Sequence, residues 1–386
     1  MKPAKIRVFI SIGFLRRTYM NGSGYIKIRN KKLKLFLPEK TMRYQFSIFV
    51  FMILVTGSTG LLGSHVVIHL LQQGYQVKAM YRSERKKAYF LQLLAHSSIE
   101  LHEACLSRLS WYKGDILKLD EVEQSIEGCD TVVHCAALVS FHKSDFGKLF
   151  KVNRIGTANM VNFSLDKNVK HFIHVSSTAA VGKDAEKEFV VEANKWNPDE
   201  KVSGYSLSKY SAEKEVWRAQ EEGLGISIVN PSIMFAPGDW NESSMKIFRT
   251  LSEGLRFYTK GSNAFVDARD VAKIIELMIQ KGPSGERYLA TGTNIDFHSL
   301  FDMICHQMHV KSPKHLASPF LTELAWRISG FFSRLYGRRP TITKESARSS
   351  QQSVKYSSEK LLQAFPEFKF KPLEITIQES ILGRMD

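Results

Sequence analysis

Tyr205 and Lys209, within the run Tyr205-Ser206-Leu207-Ser208-Lys209, put a phenol and an ammonium four residues apart. On a helix, residues at i and i+4 share a face. A cation beside a phenol favours the phenolate and lowers its pKa toward working pH. Such a pair can move a proton to or from an alcohol or carbonyl oxygen. The same spacing on an exposed helix is only a surface pair, so the surroundings must decide. Upstream, the apolar run 171–176 ends in Ser176-Ser177-Thr178, hydroxyls at the carboxyl edge of an expected strand. Doubly wound sheets place ligands at that edge. A hydroxyl there would hold the reacting oxygen while the tyrosine transfers the proton.

A second chemical feature is Met52-Ile53-Leu54-Val55-Thr56-Gly57-Ser58-Thr59-Gly60-Leu61-Leu62-Gly63. A short apolar strand runs into glycines at three-residue spacing, then into the helical period of 64–73. Glycines let the backbone turn tightly and approach a pyrophosphate, whose charge sits on the helix N-terminus. The spacing is G-x-x-G-x-x-G rather than G-x-G-x-x-G, and the strand before and helix after supply the context such a motif needs. Gly57, Ser58, Thr59, Gly60, Leu61, Leu62 and Gly63 are therefore the expected cofactor cradle.

The elements that must carry these residues follow from the rest of the chain. Alternating signals give strands at 75–81, 111–113, 131–135, 171–176 and 226–230. Helical patterns cover 61–73, 146–168, 206–222 and 268–281, and the long connection 83–110 calls for an extra helix. Continuous apolar strands alternating with helices predict a parallel α/β sheet covered on both faces, a Rossmann-type doubly wound fold. A smaller C-terminal lobe for substrate is expected mainly from 234–255 and 290–386.

Charge divides the chain unevenly. Residues 1–51 hold twelve Lys and Arg against the single acid Glu39, which leaves residues 52–386 only +5 of the total +16. That tail lacks a cleavage site of signal-peptide type, and Phe46 to Val55 is about half the length needed to span a bilayer. It reads as a basic extension without function, ahead of a first strand and true start at Met52. The body has no basic stripe interleaved with aromatics, which argues against nucleic acid as a partner. The four cysteines, Cys105, Cys129, Cys135 and Cys305, form no C-x-x-C pair and no metal-ligand spacing. They read as reduced thiols in a reducing compartment, the cytoplasm.

From residue 52 onward the chain resembles the extended short-chain dehydrogenase/reductases, the NAD-dependent epimerase/dehydratase family. Thr56, Gly57, Gly60 and Gly63 match its T-G-x-x-G-x-x-G motif, and Gly114-Asp115-Ile116 resembles the third-strand turn that meets the adenine. His134-Cys135-Ala136-Ala137 resembles the fourth-strand signature beside the cofactor. Val152-Asn153-Arg154-Ile155-Gly156-Thr157 matches the asparagine helix, and 265–272 a late signature. Asn230-Pro231-Ser232 resembles the segment by the nicotinamide. The resemblance implies that Tyr205 is the general acid/base and that Lys209 lowers its pKa and holds the nicotinamide ribose. It implies Thr178 as the hydroxyl, with Ser177 the alternative, because the family's residue sits four before the position of Gly182. Asp115, Ile116, Ala136, Ala137, Pro231 and Ser232 would line the cofactor. Asn153 would order backbone, and His134 a packed strand end. Gly182 departs from the tyrosine that sugar-nucleotide epimerases usually carry there. The family also suggests a homodimer.

Cofactor choice can be argued from charge. NAD-binding versions place an acid at the end of the second strand; here Tyr81 stands there and Arg82 follows. A guanidinium makes charge-assisted bonds to a 2′-phosphate, so NADP(H) is expected over NAD(H). The stretch Leu316–Arg338 is amphipathic with a basic rim. It is expected to cover a substrate pocket or pack as lobe core, and peripheral membrane contact is not expected. Its apolar character, with Ala136-Ala137-Leu138-Val139-Ser140-Phe141, suits a small hydrophobic substrate, as in the dihydroflavonol reductase and 3β-hydroxysteroid dehydrogenase branches. The expected activity is alcohol/carbonyl oxidoreduction by hydride transfer. A nucleotide-sugar epimerase or dehydratase with tightly bound NAD is the enzymatic alternative, and a non-catalytic dinucleotide-binding regulator the other.

Overall fold

The protein is described from a computed structural model, at residues 25–28, 31–34, 51–96, 106–184, 186–199, 202–336, 339–340 and 342–385. Cys105, Arg338 and most of the basic tail lie outside the described residues. The chain divides into two units, 1–50 and 51–386. In the first, Tyr25–Ile28 pairs antiparallel with Lys31–Lys34.

In the second unit seven strands form one all-parallel sheet. They are β1 (Met52–Thr56), β2 (Gln76–Tyr81), β3 (Leu109–Lys113), β4 (Thr131–His134), β5 (His171–Val175), β6 (Ile226–Pro231) and β7 (Arg287–Ala290). The order across the sheet is 3-2-1-4-5-6-7, so the direction of winding reverses between β1 and β4. Ligands of doubly wound sheets bind at that reversal, beyond the carboxyl ends of the strands. The four central strands are buried along nearly their whole length, which is why their sequences read as apolar runs rather than alternations.

Helices cover both faces. Helix α1 (Leu61–Gln72) packs against α6 (Ala268–Lys281), the long second connection carries helix α2 (Glu84–His96) as expected, and α3 is Leu119–Ile126. The expected helix 146–168 is not uniform: a wide π-type turn, Phe150–Ile155, precedes α4 (Gly156–Asp166). Such turns frequently accompany functional sites, and this one carries Asn153. Helix α5 (Gly204–Glu221) brings Tyr205 and Lys209.

The lobe has its own small sheet of Ile233–Phe235, Ser262–Asp267 and Thr293–Asp296. Phe235, Phe248, Phe265, Leu300 and Ile377 pack in its core. The stretch expected as pocket cover or lobe core forms helix α7 (Pro319–Leu335), of which Phe320, Leu321, Leu324, Ile328, Phe331 and Phe332 are exposed. No helix among the described residues is long and apolar enough to cross a membrane.

Candidate active site

The loop after β1 is built for close approach. Gly57 has φ +63°, and a Cβ there would meet the Ala136 backbone nitrogen at 2.7 Å. A Cβ on Gly63 would lie 2.1 Å from the Gly57 carbonyl oxygen, so α1 can start this near the strand only with glycine. At Gly60 the same test meets only the Gly57 carbonyl oxygen, at the ordinary contact distance of 3.4 Å. The N-terminus of α1 has no side-chain cap and no acid in its first turn. Uncapped amides at the start of a helix suit a pyrophosphate. The residues present fit a dinucleotide.

Not every cradle side chain faces that space. Ser58 Oγ donates to the Met80 carbonyl at 2.8 Å, tying the loop to β2, and Leu62 is in the core. Thr56 Oγ1 lies 2.8 Å from His134 Nδ1 and accepts from the Ala136 amide at 3.2 Å. His134 Nε2 reaches Thr157 Oγ1 at 3.1 Å. His134 therefore locks the ends of β1 and β4 together as a packed strand end, and burial pushes its pKa down to about 3.

At the adenine end the structure brings two expected residues together. Arg82 Nη1 lies 3.6 Å from Asp115 Oδ2, and the arginine side chain is 71% exposed. Tyr81 turns away: its ring meets Trp111 edge-on and its hydroxyl donates to Glu84 at 3.0 Å. Ile116 is buried against Gly156, where a Cβ would come within 2.4 Å of its Cδ1. At the other end, Pro231 closes β6 and the Ser232 hydroxyl donates to the Thr291 carbonyl at 3.2 Å.

Tyr205 and Lys209 do share one face of α5. Lys209 is buried and its ammonium donates to the Val175 carbonyl at 2.8 Å. Burial lowers its pKa to about 8, against the pull of Glu213 and Cys135. Burial raises the Tyr205 phenol and the Ser177 side chain partly offsets this. Desolvation is the larger influence on the phenol, so the net direction is upward. Tyr205 is consequently a protonated acid at neutral pH.

The two candidate hydroxyls part company. Ser177 faces the Tyr205 phenol and accepts from the Ala179 amide at 3.1 Å. Thr178 is buried and faces Tyr356 of the C-terminal lobe. Ser177 caps the 3-10 turn Thr178–Ala180 and Thr178 is its first residue, a distinction that counting back from Gly182 could not reveal. Gly182 itself has no room for a side chain: a Cβ would come within 1.9 Å of the Lys195 carbonyl oxygen.

Behind the pair lies a network that the sequence reading did not single out. Asn230 Nδ2 donates to the Ser177 carbonyl at 2.9 Å and to Glu213 Oε1 at 2.6 Å. Glu213 Oε2 also accepts from Arg287 at 3.1 Å. Glu213 stands one further turn beyond Lys209, and that i+4 spacing was the available signal. Asn153 accepts from the Leu138 amide at 2.7 Å and donates to Ser208 at 2.9 Å, fixing the loop after Ala137 to α5. From that loop, Phe141 meets the Tyr205 ring at 6.1 Å.

Comparison with known proteins agrees with this geometry. The model of the NAD dependent epimerase/dehydratase family matches residues 53–290. Sterol demethylase protein B of Methylococcus capsulatus is 31% identical over 62% of this chain and 69% of that protein. Cinnamoyl-CoA reductase 1 of Petunia hybrida is 30% identical over 61% and 71%. Among solved structures, gox2253 shares 27% identity and a TM-score of 0.70, covering 86% of this chain and 97% of that one. The chain belongs to the NAD dependent epimerase/dehydratase family.

Proposed function

We propose that this member of the epimerase/dehydratase family is an NAD(P)-dependent oxidoreductase that interconverts an alcohol and a carbonyl on a small apolar substrate, with NADP(H) preferred. The observation that carries the reading is the meeting of Ser177 and Tyr205 beside buried Lys209, at the carboxyl edge of β5. The cofactor, when bound, supplies or accepts the hydride. Tyr205 delivers the proton from its phenol oxygen, and burial keeps that proton in place until a carbonyl oxygen takes it, which favours reduction. Ser177 holds the reacting oxygen. Phe141 gives the site an apolar wall. Arg82, exposed at the end of β2, is available to a 2′-phosphate. Two further points support a reductase over an epimerase. Gly182 excludes the tyrosine of the sugar-nucleotide branch, and the cinnamoyl-CoA and anthocyanidin relatives carry reductase names.

The test is to identify any nucleotide that co-purifies, then screen aromatic and aliphatic carbonyls for NADPH oxidation. Tyr205→Phe should abolish turnover with cofactor affinity nearly unchanged. Arg82→Ala should weaken NADPH about tenfold to a hundredfold, the worth of a charge-assisted bond, and leave NADH unaffected. Firmly bound NAD without net oxidation of any carbonyl, together with interconversion of nucleotide sugars, would overturn the reading.

A further inference from the structure

Helix α7 carries an apolar stripe that the fold does not bury. Phe320, Leu324, Ile328, Phe331 and Phe332 recur at helical spacing, within an arc of about 120° at 100° per residue. Phe320 is 76% exposed and Phe331 65%. The helix is anchored elsewhere on its surface. Ser318 caps it and Pro319 opens it; the Ile342 amide donates to Ser329 at 3.3 Å, and Gln351 donates to the Ala317 carbonyl at 2.9 Å. A helix tethered in this way cannot roll its stripe inward. Contiguous exposed apolar residues of this kind mark an interaction surface.

Charge indicates what covers it. Residues 318–350 hold Arg327, Arg334, Arg338, Arg339, Lys344 and Arg348 against Glu323 and Glu345. That is a net +4 by sequence, and +3 once the Asp145 that pairs with Arg339 is included. Two copies meeting through this segment would bring like net charges together, whereas an anionic lipid surface is complementary to both the stripe and the segment's charge. The helix is also joined to the rim of the active site. Arg339 pairs with Asp145 at 3.1 Å, Asp145 accepts from Ser140 at 2.7 Å, and Phe141 follows, against Tyr205.

We propose that helix α7 docks the protein on an anionic lipid surface by its Phe320–Phe332 stripe, against the expectation from sequence that peripheral membrane contact is absent. The proposal stands on the helix alone and does not depend on the catalytic reading. Purified full-length protein is floated with phosphatidylcholine vesicles containing phosphatidylglycerol, and with phosphatidylcholine alone. It should partition to the anionic vesicles and less to the neutral ones. Phe320→Ser/Phe331→Ser should lower that partition about tenfold or more, the loss expected from two buried aromatic side chains. Leu321→Ser/Leu324→Ser should act in the same direction. Because these side chains are exposed, Tm and solution mass should not change. The basic tail is the same in every variant, so partition that survives both double substitutions would assign binding to the tail and overturn the proposal. A change of solution mass in the variants with vesicle partition unaltered would assign the face to a second copy, and overturn it equally.

Discussion

Lys209 is an ammonium held where water does not reach it. Its pKa falls from 10.5 to about 8, chiefly through burial. Between those values the unfolded chain binds a proton that the folded one does not, so this group's contribution to stability rises as pH climbs from about 8 to 10.5. At neutral pH the buried charge therefore costs about 3 kcal/mol. Lys209→Met should raise the Tm of the unliganded protein at pH 7, with the gain fading toward pH 10.5, while turnover collapses. A lower Tm at pH 7 would show that the bond to Val175 outweighs desolvation. The two hydroxyls give a second residue-scale test. Ser177→Ala should cut turnover about a hundredfold or more and cost about 1 kcal/mol as a lost cap, with Ser177→Thr retaining activity. Thr178→Ala should lower Tm and spare the chemistry, because its hydroxyl faces Tyr356. If Thr178→Ala proves the inactive variant, the assignment of roles is reversed.

Helix α5 places Tyr205, Lys209 and Glu213 in line, and Glu213 joins the helix to β6 through Asn230 and to β7 through Arg287. Glu213→Leu removes an acceptor from Asn230 and from partly buried Arg287, which keep the Ser177 and Glu192 carbonyls, and should cost about 1–3 kcal/mol. Glu213→Leu/Arg287→Met should recover much of that loss in urea unfolding, and a double variant as unstable as the sum of both single ones would deny the coupling. The element scale is also where legibility in the sequence can be judged. Local periodicity and the glycine spacing specify the strands, the turn at Gly57 and the shared face of Tyr205 and Lys209, because each depends on neighbours within a few residues. What sequence spacing misses depends on distant partners. The turn that sends Thr178 to Tyr356 is settled 178 residues away, and the partners of Glu213 lie 17 and 74 residues on. Periodicity likewise identifies 316–338 as amphipathic, but whether its apolar face is buried depends on what packs there.

On the scale of the whole molecule, four buried histidines among the described residues set an acid limit. His134 lies on β4, His171 and His174 on β5, and His65 on α1. Burial lowers His65 and His171 to about 4, His134 to about 3, and His174 well below its ordinary value. Three have hydrogen-bond partners that suit a neutral ring; neither His174 nitrogen has one. The unfolded chain takes up protons below about pH 6.5 that the folded sheet refuses, so stability is lost as pH falls from 6.5 toward 4. At about 1.4 kcal/mol per group for each pH unit, four such groups cost on the order of 5 kcal/mol by pH 5.5. That is comparable to the whole stability of an ordinary domain. Tm should therefore be flat from pH 8 to 7 and fall steeply below 6.5. His174→Leu removes a ring that makes no hydrogen bond, so it should raise Tm at pH 5.5 by more than it does at 7.5. An equal shift at both pH values would mean that His174 already accepts its proton in the folded state, and that the centre of this sheet is wetter than its burial implies.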